Sequence, residues 1–285
     1  MRAHLSDFDL VVASDLVAAL DLLANGESRR PMAGGTDLMV LFNAGRLPYR
    51  KLVSIAKLPE LLGIAVTPDA VTIGAGVTYS AIMRHPVLQS EFPLLCQAAG
   101  WTGSPANQNR GTLGGNIANA SPAADTPPAL LVYDAELELI SKKGSRHIAY
   151  DQFHTGYKAM QLRLDELIAK IHLKREYCKL KQYARKVGTR KAQAISKVCF
   201  NATAEMDSSI IKQIHVGLGS VAPVPLRCHK VEAALTGQRL TDALIAHART
   251  VIAEEITPID DIRSTSQYRS LVTQNLLSEF LGQLR

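Results

Sequence analysis

The stretch GTLGGNIANASPAAD, residues 111–125, carries three glycines, two asparagines, two hydroxyl residues and one aspartate in a single short run. Glycine reaches positive φ without steric cost and lets consecutive backbone N–H groups converge on an anion. Thr112 adds a hydroxyl donor without bulk. The same chemistry occurs upstream at Ala33-Gly34-Gly35-Thr36-Asp37. Either stretch alone reads as a tight turn. Together they can clamp a diphosphate from opposite sides, with Asp125 as acceptor for sugar-like hydroxyls and Asn116 as a two-way amide. On this reading Gly115 takes a positive φ that a β-branched residue would resist.

Two further glycine clusters are rejected by context. Gly217-Leu-Gly219-Ser-Val-Ala222 fits G-x-G-x-x-A after a strand, but Pro223 and Pro225 forbid the helix whose start would hold a pyrophosphate. Gly74-Ala-Gly76-Val-Thr-Tyr79 places Tyr79 where a third small residue is needed. There is no G-x-x-x-x-G-K-[ST] loop, which excludes a nucleoside triphosphatase of that kind.

With 285 residues, 47% hydrophobic and 20% charged, the chain has the composition of a globular protein with a sizeable core. A net charge of +6 permits an anionic partner. The basic run from Lys174 to Lys197 lacks interleaved aromatics, so a solvated or partner-facing surface is expected there and nucleic-acid binding is not. Cys96, Cys178, Cys199 and Cys228 stand far apart without a C-x-x-C pair or a histidine at ligand spacing, so no metal or iron–sulfur ligation is expected. The start, MRAHLSDFDLVV, does not have the basic-then-apolar form of a leader, and no apolar run reaches the roughly 18 residues of a membrane span. A reducing, cytoplasmic setting is expected.

Helices and strands alternate along the chain, giving an α+β class. Ser14 is placed to cap a helix carrying Leu16, Val17, Leu20 and Leu23, with Gly26 as its stop. Lys51 to Ala56 reads as a strand, and two β-rich runs flank Thr67-Pro68-Asp69 as a hairpin. A buried helical turn is expected over Asp125 to Leu131, and paired strands over Ala135 to Ile140 and Arg146 to Tyr150. Composition shifts near residue 174, followed by strands near Val198 to Ala204 and Ile210 to Gly217. Helices over Thr241 to Glu255 and Ser266 to Leu284 close the chain, the last with Tyr268, Leu271, Val272, Leu276 and Phe280 on one face.

Several stretches taken in order carry a family resemblance: Met32 to Leu38, Ile55 with Leu58 to Leu61, Ile73 to Thr78, Asn109 to Ile117, Ser121 to Asp125, Asp165 to Ile168, and Tyr183 to Ser196. They resemble the FAD-binding medium subunit of molybdenum hydroxylases, the family of xanthine and carbon monoxide dehydrogenases. The resemblance spans nearly the whole chain. It implies a two-part FAD-binding region of the vanillyl-alcohol-oxidase-like (PCMH-type) fold, over residues 1–56 and 57–173. Residues 174–285 would form a C-terminal α+β domain of the CO-dehydrogenase flavoprotein type, a small antiparallel sheet with helices.

The implied FAD contacts are Met32, Ala33, Gly34, Gly35, Thr36, Asp37 and Leu38 with Ile55 on one side. On the other are Thr78, Thr112, Gly114, Gly115, Asn116 and Asn119. Asp125 is placed against the hydroxylated portion, and Leu167, Ile168 and Lys186 near the ring system. The Lys186 ammonium can stabilise negative charge at the N1/C2 side of a reduced flavin; the alternative is an ordinary surface lysine. Trp101, Tyr133 and Tyr157 read as structural.

The resemblance implies an oxidoreductase subunit that relays electrons, with no catalytic side chain of its own. Electrons would come from the [2Fe–2S] clusters of an iron–sulfur subunit, fed by a molybdenum-cofactor subunit, and leave to NAD⁺ or another acceptor. An autonomous flavin oxidase or dehydrogenase is the alternative, but it needs a base over the ring, and no His or Tyr has motif support for that. A flavin-free homologue is disfavoured because both glycine loops survive. The family's usual S-P-Q-I-R-N is here Ser104-Pro105-Ala106-Asn107-Gln108-Asn109, a change expected to alter packing on neighbouring subunits and to leave the glycine loop intact.

Overall fold

The computed structural model describes residues 4–285; residues 1–3, on which part of the reading of the N-terminus rests, lie outside the described residues. Strand β1 (Asp9–Val12), helix α1 (Leu16–Ala24), β2 (Arg30–Met32), α2 (Leu38–Asn43) and β3 (Lys51–Ser54) come first. They build a parallel three-stranded sheet in the order β1-β3-β2. Asp15 caps α1, its carboxylate accepting from the Ala18 amide at 2.8 Å, while the hydroxyl of Ser14 donates to Asp15. The cap thus falls one residue beyond the expected Ser14, because the ionised acceptor is the stronger partner for a free helix amide. Ala19, Leu20 and Leu23 bury the inner face, Val17 is exposed, and Gly26 ends the turn at φ 80°.

A second sheet has the order β4-β5-β10-β6-β7 and is antiparallel throughout. It is made of β4 (Ile64–Val66), β5 (Ala70–Gly74), β6 (Glu136–Ser141), β7 (Gly144–Ala149) and β10 (Leu167–Lys174), with the small ribbon β8 (His154–Gly156) and β9 (Ala159–Met160) alongside. The hairpin around Thr67-Pro68-Asp69 and the β6–β7 pair stand where the sequence places them. Between β5 and β6 the chain winds through six short helices: α3 (Tyr79–Arg84), α4 (Pro86–Glu91), α5 (Pro93–Trp101), α6 (Pro105–Gln108), α7 (Leu113–Ala118) and α8 (Pro127–Val132). Proline opens four of these helices, α4, α5, α6 and α8, where its missing N–H costs nothing. Tyr133, Phe92, Ile73, Leu137 and Leu139 lie in the core between these helices and the sheet.

The third sheet, β11-β12-β13-β14, is an antiparallel meander of β11 (Lys181–Val187), β12 (Val198–Asp207), β13 (Ile210–Gly219) and β14 (Leu226–Arg227). Helices α9 (His229–Leu235), α10 (Asp242–Glu255) and α11 (Ser266–Gln283) complete it. Gly217 and Gly219, rejected above as a nucleotide motif, have a packing role. A Cβ on Gly217 would stand 2.5 Å from the Pro128 carbonyl oxygen, so bare backbone lets α8 lie directly on β13.

Helix α11 corrects part of the expected face: Leu276 and Phe280 are buried and Val272 packs against the core as expected. Tyr268 and Leu271 are exposed, and the buried stripe runs through Arg269, Thr273, Leu276, Leu277, Phe280 and Leu281. A buried arginine interrupts the apolar pattern because its two terminal nitrogens are paired: they donate to Asp261 (2.7 Å) and to the carbonyls of Lys197 (2.7 Å) and Ser220 (3.0 Å), while Nε has no partner among the described residues. Burial would raise the Asp261 carboxyl, but the Arg263 and Ser264 amides and the Arg263 and Arg269 guanidinium groups outweigh it and hold it at about 2. Replacing Arg269 by Met takes one cation from this carboxylate, which keeps Arg263 and the Ser264 amide, and removes the donor of two carbonyls. The variant is expected to lose about 3 kcal/mol of stability, read as a lower urea midpoint at unchanged slope.

Candidate functional site

Two backbone segments approach each other closely enough to exclude side chains. A Cβ on Gly34 would stand 1.9 Å from the carbonyl oxygen of Arg110, and one on Gly114 would stand 2.5 Å from the Ala75 Cβ. Gly111 meets the Tyr79 ring in the same way, at 2.7 Å. The first loop leaves β2 and enters α2, with Gly35 at φ 75° making the turn. Gly115 does not have the positive φ expected of it: it lies inside α7, and its Cβ would meet only the Thr112 hydroxyl. The steric demand in the second loop therefore falls on Gly111 and Gly114.

The two loops also differ in what their amides do. Leu113 and Gly114 donate to the carbonyls of Val77 and Ala75, Gly115 to the Thr112 hydroxyl and Asn116 to the Thr112 carbonyl. These bonds seal the second loop against the chain that follows β5. Among the described residues the amides of Gly34, Gly35, Thr36 and Asp37 donate to no protein group. An open row of donors thus faces a sealed wall.

Between them lies a cavity of about 530 Å³, a size suited to a cofactor-sized ligand. Fourteen of the residues expected at the site line it: Ala33, Gly34, Gly35, Thr36, Asp37, Leu38 and Ile55 on one side, Thr112, Gly114, Gly115, Asn116 and Asn119 on the other, and Leu167 and Ile168 where β10 begins. Met32, Thr78, Asp125 and Lys186 stand outside the lining. Met32 is the last residue of β2. Thr78 caps α3, accepting from the Ala81 amide, and bridges to Thr112.

The sequence reading did not include several lining residues. Arg30 sits over the Tyr49 ring, its guanidinium carbon 5.1 Å from the centroid. Lys158 donates to the Asn119 carbonyl (2.6 Å) and side-chain oxygen (3.1 Å). Arg163 and the buried Tyr79 complete that edge. Burial raises the Asp37 carboxyl, with Lys158 and the Asn119 side chain opposing it. Burial likewise raises the Tyr79 hydroxyl, reinforced by Asp37 and Asp125. Arg30 could have been found from its place just before the first loop. Lys158 could not, because only the fold of the β8–β9 ribbon brings it to Asn119.

Asp125 and Lys186 form a buried ion pair. The ammonium lies 2.6 Å from Asp125 Oδ2 and 3.0 Å from the Trp101 carbonyl, while Asp125 Oδ1 has no partner among the described residues. Nearby, the Thr126 hydroxyl donates to Asn116 Oδ1 at 2.5 Å. Lys186 is therefore engaged by a carboxylate, not displayed as a surface lysine.

Comparison with known proteins assigns the architecture. Residues 6–174 match the family described as FAD binding domain in molybdopterin dehydrogenase, and residues 183–284 match the CO dehydrogenase flavoprotein C-terminal domain. The chain belongs to the FAD-binding medium-subunit family of the molybdenum hydroxylases; it is an oxidoreductase subunit whose cofactor is FAD. It is 28% identical over 275 residues to the xanthine dehydrogenase FAD-binding subunit of Escherichia coli O157:H7, covering 95% of this chain and 94% of that one. To the glyceraldehyde dehydrogenase medium chain of Sulfolobus acidocaldarius it is 29% identical over 276 residues, covering 95% of each. The solved carbon monoxide dehydrogenase of Hydrogenophaga pseudoflava contains a chain that superposes with a TM-score of 0.92 at 25% identity, covering 96% of both. Among the described residues no helix is long and apolar enough to cross a membrane.

Two outcomes test the geometry. Gly34→Ala forces the first loop away from the Arg110 carbonyl. The purified variant is expected to bind FAD at least about tenfold more weakly with an unchanged circular dichroism spectrum. Native flavin content would separate the loop contact from cofactor binding.

The second concerns Asp125, whose carboxyl burial pushes up to about 6, with Lys186 offsetting part of the rise. A carboxyl with a folded pKa above its ordinary value holds its proton better in the folded chain than in the unfolded one. It therefore lowers stability as pH rises from about 4 through about 6. In urea titrations the protein's stability relative to Asp125→Asn should decline between pH 4 and pH 7. A difference that does not vary with pH would show that folding leaves the Asp125 carboxyl at its ordinary pKa.

Proposed function

We propose that this chain holds FAD between its two glycine loops and, as one subunit of a molybdenum hydroxylase, passes electrons from the [2Fe–2S] clusters of a partner to NAD⁺ or another acceptor. The observation that carries the reading is the row of open amides from Gly34 to Asp37 facing a cavity walled by side-chain-free backbone. These residues fit a dinucleotide diphosphate: four donors in sequence need an acceptor with several oxygens, and bare backbone lets it approach. FAD, when bound, supplies the change from one-electron to two-electron transfer.

The chain's own residues bind and orient. In this reading the Gly34–Asp37 amides and the Thr36 and Thr112 hydroxyls hold the diphosphate. Arg30 and Lys158 balance its charge from the rim, and Asn116 and Asn119 offer amides to the adjoining hydroxyls. Leu167, Ile168 and Ile55 give an apolar wall that excludes water. Lys186, fixed by Asp125, acts from behind the lining as an electrostatic support, and Met32 and Thr78 set the ends of β2 and α3 that carry the loops. The division into residues 1–56, 57–173 and 174–285 is part of the proposal, supported by the three larger sheets, one in each part.

Iron–sulfur and molybdenum subunits are the proposed partners, supported by relatives named as FAD-binding subunits and medium chains. Among the described residues no histidine lines the cavity, and of its two carboxylates Glu166 is paired with Arg146 and Asp37 stands on the first glycine loop, in this reading beside the diphosphate. The isolated, flavin-loaded chain should show negligible oxidation of purines or aldehydes, and adding the iron–sulfur and molybdenum subunits should restore electron flow to the acceptor. Rapid substrate-dependent bleaching of the flavin in the pure single chain, free of iron and molybdenum, would establish an autonomous flavoenzyme instead.

A further inference from the structure

The antiparallel register of the second sheet places two histidines and two glutamates on one outward face. Glu138 on β6 pairs directly with His147 on β7, and Glu136 pairs with His172 on β10. Residues two apart on a strand share a face, so these four side chains form a checkerboard across three adjacent strands. One ring nitrogen of His147, one of His172 and a carboxylate oxygen of Glu138 all lie within 4.8 Å of one another. None of the three lines the FAD cavity.

We propose that this face binds a divalent transition-metal ion, with His147, His172 and Glu138 as its protein ligands. The outer contacts orient the imidazoles. His172 Nδ1 stands 3.0 Å from the Thr72 hydroxyl, while its Nε2 faces Glu138 at 3.3 Å. Because a carboxylate only accepts, Nε2–H donates to Glu138 while Nδ1 accepts from the Thr72 hydroxyl; an ion would shift the ring to the Nδ1–H tautomer, with Thr72 then accepting from Nδ1–H and Nε2 free to ligate. His147 Nδ1 meets Glu136 Oε1 at 2.6 Å, a histidine–carboxylate pairing of the kind that fixes the ring's orientation at metal centres. The two rings stack 5.3 Å apart with planes 24° from parallel, so both turn toward the same space.

The donor set favours a borderline ion. Two imidazole nitrogens and one carboxylate suit Zn²⁺, Ni²⁺ or Cu²⁺, whereas Mg²⁺ and Ca²⁺ seek oxygen-only shells. Donors on one tetrahedral zinc stand about 3.3 Å apart, so closure needs side-chain movements of only about 1 Å. His147 and Glu136 are exposed and free to make them. The Lys170 ammonium, 3.2 Å from Glu138, occupies the same carboxylate and is the competitor an ion must displace; its side chain is well exposed and can turn to solvent. An ion held here would join β7, β6 and β10 through side chains and leave one coordination position open to water.

The test uses the full-length, untagged protein stripped with EDTA and titrated with ZnCl₂ by calorimetry, with Co²⁺ as a spectroscopic probe. One ion per chain is expected, with a dissociation constant of about 1 µM or lower, together with a melting temperature that climbs with zinc concentration. His147→Gln, on an exposed position of the edge strand, and His172→Asn should each weaken binding at least about tenfold and abolish the visible Co²⁺ band. Their FAD content and circular dichroism should not change. Absence of binding at about 100-fold above the expected constant, or one-to-one binding that survives in the His147→Gln/His172→Asn double variant, would overturn the proposal.

Discussion

Close approach of backbone to backbone is the constraint on which the rest of the molecule depends. Gly34 rests on the Arg110 carbonyl, Gly114 on Ala75, Gly74 on the Leu61 carbonyl and Gly217 on the Pro128 carbonyl. At each point two chain segments lie nearer than any side chain allows, so their positions are set by main-chain sterics and do not shift with rotamer changes. The first two contacts define the walls of the cavity between the two glycine loops. The third holds the end of β5 against the short helical turn at Pro59–Leu61, and the fourth seats the C-terminal sheet on α8.

Given those contacts, hydrogen bonding divides the labour between the loops. The second loop spends its amides on Val77, Ala75 and Thr112, which makes it a rigid wall. The first loop keeps the Gly34–Asp37 amides unengaged, at the cost of leaving donors that only a ligand or water can satisfy. The asymmetry leaves one side of the cavity fixed by protein bonds and the other with donors open to a ligand or water.

Buried charge joins the FAD-binding region to the C-terminal sheet. Lys186 on β11 reaches Asp125 just before α8, and Arg227 on β14 donates to Asp134 (2.5 Å) and to the Leu131 carbonyl. Arg227 also pairs with Glu232, and Tyr177 donates to Asp134 at 2.5 Å. Each ion in these clusters is countered, which is what makes burial tolerable; removing one partner would strand the other. The clusters thus tie the orientation of the C-terminal sheet to α8 and hence to the second glycine loop.

How much was legible in the sequence follows from the range of the forces involved. The glycine loops, the hairpin at Thr67-Pro68-Asp69, the stop at Gly26 and the rejection of Gly217-Leu-Gly219 all rest on local backbone requirements, and local requirements are written in neighbouring residues. The short helices α3 to α7 escaped notice because no run of apolar spacing is long enough to show a period, and proline starts were the available signal. On α11 the pattern placed Leu276 and Phe280 correctly and Tyr268 and Leu271 wrongly, because Arg269 counts as polar in a pattern, although a distant carboxylate and two carbonyls hold it in the core. By itself the sequence determined the α+β class, the two glycine loops and the family, since these depend on residue types at fixed short spacings. Only the tertiary structure decided that Lys186 faces Asp125, that Lys158 meets Asn119, and that His147, His172 and Glu138 share one sheet face, because strand register and packing between distant segments, not neighbouring residues, select those partners.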